Sequence, residues 1–299
     1  MKPTLLILAA GMASRYGSMK QIQSFGPSGE TIMDYSIYDA IQVGFKKIVF
    51  IIRKDFATEF KNIFEPKWGN EVETEYVYQE MNAYLDGYTL PPDRSKPLGT
   101  AHAVLCARSA IQDPFAVINA DDFYGRDAFE KAFLFLTTAC SPSTCSIIGY
   151  DLSKTLSENG SVSRGVCQVD ANNNLISIHE RTKIYRNETG AITYEEEGTT
   201  FTVPDDSKVS MNFWCFDPSV FEFIEKTFKE FLQKSGQELK SEFFIPIIGD
   251  RYIHEKRGQI KIIPTASSWF GVTYKEDAPM VQQSLNALIT SGLYPNRLF

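Results

Sequence analysis

The sequence predicts a protein of the α/β class, in which a mixed but mostly parallel sheet is covered by helices on both faces. Apolar runs of strand length alternate with helical patterns from the start of the chain. Residues 5–8 are all apolar and are followed by small residues, as expected for a strand buried on both faces. With 299 residues and no repeat or long linker, the chain is predicted to form a single domain over residues 1–299.

The predicted elements of the first half alternate in type. Strands are expected at residues 5–8, 47–52, 74–78 and 115–119, and helices at residues 32–43, 56–64 and 101–111. The first of these helices stops at Gly44, a residue suited to the left-handed conformation of a helix C-terminus. Such alternation implies right-handed βαβ units, and therefore a Rossmann-like α/β/α three-layer sandwich. In open sheets of this kind, ligands bind beyond the carboxyl ends of the strands.

The second half is richer in predicted strands, which makes the sheet mixed. These strands cover residues 145–150, 165–169, 175–179, 209–216 and 259–263, and residues 193–202 are expected to form an exposed hairpin or loop. Two further helices are predicted, one opening at Asp217-Pro218 and one starting at Ser241.

Composition limits the classes of partner. The formal net charge of −7 argues against nucleic acid, because nucleic-acid binders need a basic surface to neutralise phosphates. The apolar run at residues 4–10 is too short to span a membrane and lacks the features of a signal peptide. The odd number of cysteines and the three histidines give no zinc-ligand spacing, so reduced core cysteines and a cytoplasmic location are expected. The five cysteines are Cys106, Cys140, Cys145, Cys167 and Cys215.

The first candidate site follows the first predicted strand. Small residues after a strand allow backbone amides to approach phosphates, and Arg15 and Lys20 supply cations just beyond the turn. The alternative is a tight βα turn with two surface cations, and the turn alone favours that alternative. The segment is neither a P-loop nor a dinucleotide fingerprint. Its candidate nucleotide-binding positions are Leu8, Ala10, Gly11 and Met12.

The second candidate site is the pair Asp121-Asp122, directly after the predicted strand 115–119. Mg²⁺ binds through one or two carboxylates together with substrate phosphates, which suits acidic residues at a strand end. The alternative is that Asp122 or Asp127 caps the helix that follows Gly125. One aspartate for metal and one for structure is the interpretation adopted here.

Taken in order, the motifs resemble the nucleotidyltransferase superfamily that includes the sugar-1-phosphate nucleotidylyltransferases. Residues 8–20 look like the family's LxxGxGxR…K loop, and Gln79 followed by residues 97–103 looks like its base-reading glutamine and GTA segment. Asn119-Ala120-Asp121 is similar to its NGD metal site. Weaker matches are residues 29–35, Gly165-Val166, residues 179–182 and Met211-Asn212. The ordered resemblance covers most of the chain and implies the nucleotide-diphospho-sugar transferase type of fold.

The resemblance implies a role for each matched position. The amides around Gly11 would hold an NTP, with Arg15 on the leaving pyrophosphate and Lys20 on the α-phosphate. Gln79 with Gly99 and Thr100 would read a pyrimidine, so UTP or dTTP is expected, and Asp121 would hold Mg²⁺. Catalysis would consist of positioning and charge neutralisation for in-line attack on the α-phosphate. Acceptor contacts would come from Glu180, Arg181 and Asn212. Residues 1–150 would thus bind the nucleotide and residues 151–299 the acceptor.

Several positions depart from the family pattern. Ala13 replaces a loop glycine, and Arg181 replaces a lysine, which keeps the charge but changes its geometry. Residues 80–98 form an insertion that is either a lid or an exposed loop without consequence. Near the C-terminus, Thr273 stands where relatives have Asn or Asp. Either Thr273 acts as the second metal ligand through water, or Asp122 or Asp277 fills this role, or activity is reduced.

Two alternatives to a sugar-1-phosphate enzyme stay open at this point. One is a cytidylyltransferase that acts on a phospho-alcohol such as phosphocholine. The other is a non-catalytic relative that binds a nucleotide sugar as a regulatory subunit, which the missing second acid favours and Arg15, Lys20 and Asp121 oppose. The identity of the acceptor and assembly into a homo-oligomer are not encoded in a pattern that we recognise.

Overall fold

A computed structural model describes residues 2–10 and 23–299, and it confirms the predicted α/β class. The strands are β1 (Thr4–Leu8), β2 (Lys47–Ile52), β3 (Glu73–Tyr78), β4 (Phe115–Asn119), β5 (Asp122–Phe123), β6 (Thr144–Asp151), β7 (Val162–Val169), β8 (Leu175–Arg186), β9 (Ile192–Glu196), β10 (Thr199–Thr202), β11 (Lys208–Phe216), β12 (Gln259–Pro264) and β13 (Phe270–Gly271). The helices are α1 (Ile32–Val43), α2 (Ala57–Trp68), α3 (Thr100–Cys106), α4 (Arg126–Thr138), α5 (Val220–Ser235), α6 (Ile245–His254) and α7 (Ala278–Thr290).

The central sheet is parallel except for one strand. β3, β2, β1 and β4 lie side by side in parallel, and β11 pairs antiparallel with β4. β6 pairs antiparallel with the other edge of β11 and parallel with β12, so β6 and β12 run in the direction of β4. The sheet is therefore mixed but mostly parallel, as predicted.

The edge of β11 that faces β4 is shared by two strands. Its last residues, from Trp214 onward, pair with β4, whereas Val209 and Ser210 pair with β7. The pairing with β6 shifts register between Ser210 and Trp214, which marks an irregularity in β11 at this point. We call the point along β11 at which the paired strand changes from β4 to β7 the β11 fork. β7, β8, β9 and β10 continue from it as an antiparallel extension.

Helices cover both faces of the sheet because alternate strand residues point to opposite sides. Leu5 and Ile7 of β1 pack in one core cluster with α1, α2 and α4. Leu6 packs in the other with α3, α5 and α6. A third cluster joins α7 and the C-terminal residues to α1, β5 and β13. None of the helices described here has the length and hydrophobicity needed to cross a bilayer.

One predicted helix start is wrong. Ser241 was expected to begin a helix, but α6 begins at Ile245. The reason is a backbone pairing, since the Phe243 N–H donates to Leu98 O (2.8 Å) and its carbonyl accepts from Ala101 N (2.9 Å). These bonds hold the chain extended as far as Phe244, the N-cap of α6, and Pro246 lies in the first turn of the helix.

The insertion at residues 80–98 is held against the rest of the fold by hydrogen bonds and apolar contacts. Arg94 at its centre is only 7% exposed and donates to the carbonyl groups of Lys96 (3.0 Å), Glu238 (2.6 Å) and Ser241. Apolar residues of the insertion pack in the cluster under α3 and α5. The insertion is therefore attached to the segment that links α5 to α6.

Replacing Arg94 with methionine is expected to lower the free energy of unfolding by about 2 to 3 kcal/mol, because buried carbonyl groups lose their donors. The matched control is Lys96→Met, which removes an ion pair with Glu242 near the surface and should cost less than about 1 kcal/mol. Urea denaturation measures both values. Equal small losses in the two variants would mean that Arg94 does not hold the insertion in place.

Candidate active site

Part of the first predicted site lies outside the described residues, namely Gly11, Met12, Arg15 and Lys20. The chain leads into this segment at the carboxyl end of β1, where Leu8 is paired with Asn119 of β4. Ala9 N donates to Ile51 O (2.8 Å), and Ala10 is buried. The segment therefore begins at the edge of the sheet where β4 ends.

The predicted base-reading positions lie together at the same edge. Gln79 directly follows β3, and its Nε2 donates to Gly99 O at 3.1 Å although twenty positions separate the two residues. Gly99 has φ +103°, and a Cβ there would lie 2.6 Å from both N and O of Phe243. Thr100 begins α3, and its hydroxyl accepts from Ile245 N at 3.1 Å. The pairing of residues 98–101 with Phe243 thus fixes the position of this segment.

The two aspartates in the turn after β4, Asp121 and Asp122, have different surroundings. Asp122 Oδ2 accepts from Asn119 Nδ2 (2.9 Å) and lies 3.2 Å from the hydroxyl of Tyr124. That hydroxyl also accepts from Asn119 N and donates to Met211 O (2.8 Å) at the β11 fork. Asp122 is therefore part of a structural network, and it does not cap α4, whose N-cap is Gly125. Asp121 is half-buried beside it.

The C-terminal candidates for a second metal ligand occupy different surroundings. β13 pairs with β5, so Gly271 lies opposite Asp122, and a Cβ there would be 2.8 Å from Asp122 Oδ1. Thr273 is exposed just beyond this strand. Asp277 is buried and accepts from Ser157 Oγ and Asn159 Nδ2 (both 2.8 Å), and from Tyr274 N. Asp277 therefore joins α7 to the loop before β7.

The predicted acceptor residues lie in β11 at the fork and in β8 of the antiparallel extension. Asn212 has φ +60°, and continuing the register of β11 with β4 places it opposite Asn119. Glu180 in β8 is paired with Gly165 of β7. Glu180 is open to solvent, yet the protein packed around its carboxyl group raises its pKa, and Arg164 opposes that rise.

Arg181, the predicted phosphate contact, is already paired. Its Nη1 lies 2.5 Å from Glu196 Oε1, and its guanidinium lies over the ring of Tyr194. Both partners belong to β9 of the extension. A phosphate would have to compete with Glu196 for this cation.

Sequence reasoning missed Arg164, which is 7% exposed in β7. It donates to the carbonyl groups of Ser163 and Thr155 and lies over the ring of Trp269, 4.7 Å from its centroid. Burial lowers its pKa to about 10, while the charges of Asp122 and Glu180 oppose the shift. Arg164 thus stays charged at neutral pH. An arginine among the apolar positions of a strand was the available signal.

The described residues fit a Mg²⁺ ion that is shared with substrate phosphates. Among residues 2–10 and 23–299, no group of three or more His, Cys, Asp or Glu side chains could form a metal cage. A single carboxylate at a strand end, here Asp121, is the kind of donor that Mg²⁺ uses when phosphates complete its coordination.

The fold is an α/β sheet whose candidate site lies at the carboxyl ends of parallel strands, where ligands of such sheets bind. Residues 5–272 match the family model described as nucleotidyl transferase. The chain therefore belongs to the nucleotidyl transferase family, whose members transfer nucleotidyl groups. No curated protein sequence is similar enough to match it.

Solved structures support the fold. A Bacillus anthracis protein with the provisional name glucose-1-phosphate thymidylyltransferase, solved with sucrose, is 16% identical with a TM-score of 0.63, over 94% of each chain. The inositol-1-phosphate CTP transferase from T. maritima is 12% identical with a TM-score of 0.59, over 95% of this chain and 96% of that one. HddC from Yersinia pseudotuberculosis is 14% identical with a TM-score of 0.55, over 95% of this chain and 99% of that one.

Proposed function

We propose that the protein transfers a nucleotidyl group from an NTP, with UTP or dTTP preferred, to a sugar 1-phosphate and releases pyrophosphate. The observation that carries this proposal is the edge of the sheet where β1, β3 and β4 end, because Gln79 and Asp121 both lie there. Ligands of such sheets bind at this edge. The family match supplies the class of reaction.

In the proposed reaction, the acceptor phosphate attacks the α-phosphorus in line and no covalent enzyme intermediate forms. Gln79, Gly99 and Thr100 hold the base, and Asp121 would hold Mg²⁺, which neutralises phosphate charge when it is bound. Arg15 and Lys20 contact the phosphates of the NTP. At the β11 fork and in β8, Asn212, Glu180 and Arg181 orient the acceptor.

The test is pyrophosphate release with Mg²⁺, each of the common NTPs, and a panel of sugar 1-phosphates and phospho-alcohols. We expect the highest kcat/KM with UTP or dTTP and a sugar 1-phosphate. The fold similarity to the inositol-1-phosphate CTP transferase favours CTP with a phospho-alcohol as the second candidate. Nucleotide binding without pyrophosphate release from any pair would instead support a regulatory subunit.

Replacing Gln79 with glutamate is expected to lower kcat/KM for the pyrimidine nucleotide about tenfold or more. A carboxylate oxygen would then face Gly99 O at the 3.1 Å now spanned by a hydrogen bond, so the side chain would turn away. The control Gln112→Glu makes the same charge change at an exposed position after α3. An unchanged base preference in Gln79→Glu would remove Gln79 as the base reader.

A further inference from the structure

The orientation of the Gln79 amide is fixed by acceptors inside the protein. Gly99 O is a carbonyl oxygen and only accepts, so the Gln79 atom 3.1 Å from it is the NH₂ group. The same Nε2 lies 3.3 Å from His102 Nδ1. His102 therefore decides where the second amide proton goes.

His102 is held in one tautomer. Its Nε2 lies 3.1 Å from Ala83 O in the insertion, and a carbonyl partner requires this nitrogen to carry the proton. In the neutral ring Nδ1 is then bare and accepts from Gln79. The ring is fully buried against Phe228, with a centroid separation of 4.9 Å, and burial lowers its pKa to about 4. It is therefore neutral at physiological pH.

The consequence lies at the other end of the amide. Both N–H groups of Gln79 are used, one on Gly99 and one on His102. Within the described part of the chain no hydrogen bond reaches Gln79 Oε1. The side chain is only half-buried, so Oε1 is the atom that it offers to a ligand. A lone acceptor selects a partner that carries an N–H.

We propose that His102 is a positioning residue that sets base specificity: by holding the amide of Gln79, it directs Oε1 to the N3–H of uracil or thymine and disfavours cytosine. Cytosine has an unprotonated N3, so at the same position it presents a lone pair to Oε1. A site built to hydrogen-bond an N–H rejects an analogue that lacks it, because the buried polar group is left unpaired. The inference rests on the proposed nucleotide site and not on the identity of the acceptor.

The test compares UTP with CTP in the full-length protein, by calorimetric binding and by kcat/KM. We expect the wild type to prefer UTP. His102→Phe keeps a ring against Phe228 but offers Gln79 no acceptor, and it should reduce the UTP-to-CTP ratio about tenfold. His102→Gln supplies both an acceptor and a donor and should keep the ratio within about threefold. Cys106→Ala is the packing control, since Cys106 Sγ lies 3.9 Å from His102 Nε2, whereas Gln79 faces Nδ1 on the same ring.

Two results would overturn the inference. One is a wild type that binds CTP as tightly as UTP. The other is a His102→Phe variant that loses affinity for both nucleotides equally, as Cys106→Ala would if only packing mattered. Because binding is read without an acceptor, the effect of His102→Phe on UTP and CTP binding can be measured in a protein that releases no pyrophosphate, a result that would contradict the proposed function alone. If His102→Phe does not fold, a wild type that binds CTP as tightly as UTP still overturns the inference.

Discussion

The Asp121→Ala variant is expected to lose turnover, by at least about a hundredfold in kcat, while its fold stays intact. The carboxylate of Asp121, just after β4, is proposed to act on bound phosphates and their Mg²⁺, and charge-stabilising groups of this kind contribute effects of that size. The turn itself is held by Asp122, Asn119 and Tyr124. Pyrophosphate release and thermal denaturation measure the two quantities.

Asp122→Ala is the matched control for this experiment. It removes the acceptor of Asn119 Nδ2 and the neighbour of the buried Tyr124 hydroxyl. The expected loss is about 1 to 3 kcal/mol in the free energy of unfolding. Normal turnover in Asp121→Ala would show that the metal assignment is wrong.

The second large effect is expected for Gly99→Ala. The new Cβ would lie 2.6 Å from the backbone of Phe243, and φ +103° is a conformation that alanine disfavours. Backbone atoms move less readily than side chains to relieve a steric clash. We therefore expect Gly99→Ala to lower the free energy of unfolding by about 3 kcal/mol or more. The displaced strand end should also raise KM for the nucleotide.

Gly87→Ala is the control that introduces strain in the backbone conformation without a steric clash. Gly87 has a similar φ, +86°, but a Cβ there meets nothing within 4 Å. Gly87→Ala should therefore lower the free energy of unfolding by only about 1 kcal/mol, which is the contribution of the strained backbone conformation alone. Equal losses for the two variants, measured by urea denaturation, would contradict the importance of the Phe243 contact.

The sequence predicts those parts of the fold that depend on local patterns. β1, β2, β4 and α1 lie within one residue of their predicted bounds because each has an uninterrupted apolar run or a clear cap. The start of α6 was missed because it depends on Phe243 pairing with residues far away in the chain. The position of β11 next to β4 is non-local in the same way.

The same distinction applies to the candidate site. The meeting of Gln79 with Gly99 agrees with what the resemblance to the nucleotidyltransferase motifs implies, namely that both residues belong to one base-binding site. The pairing of Arg181 with Glu196 and the burial of Arg164 depend on how the antiparallel extension folds back. Neither could be read from a motif, because a motif records residue types and not their competing partners.

The position of β11 next to β4 affects the nascent chain during synthesis. On the ribosome, β4 emerges roughly a hundred residues before β11, a delay on the order of 5 to 20 seconds at ordinary rates of synthesis. During that time the edge of β4 has no partner, and an open edge of apolar strand attracts other chains. Fragments that end before Lys208 should therefore aggregate when expressed.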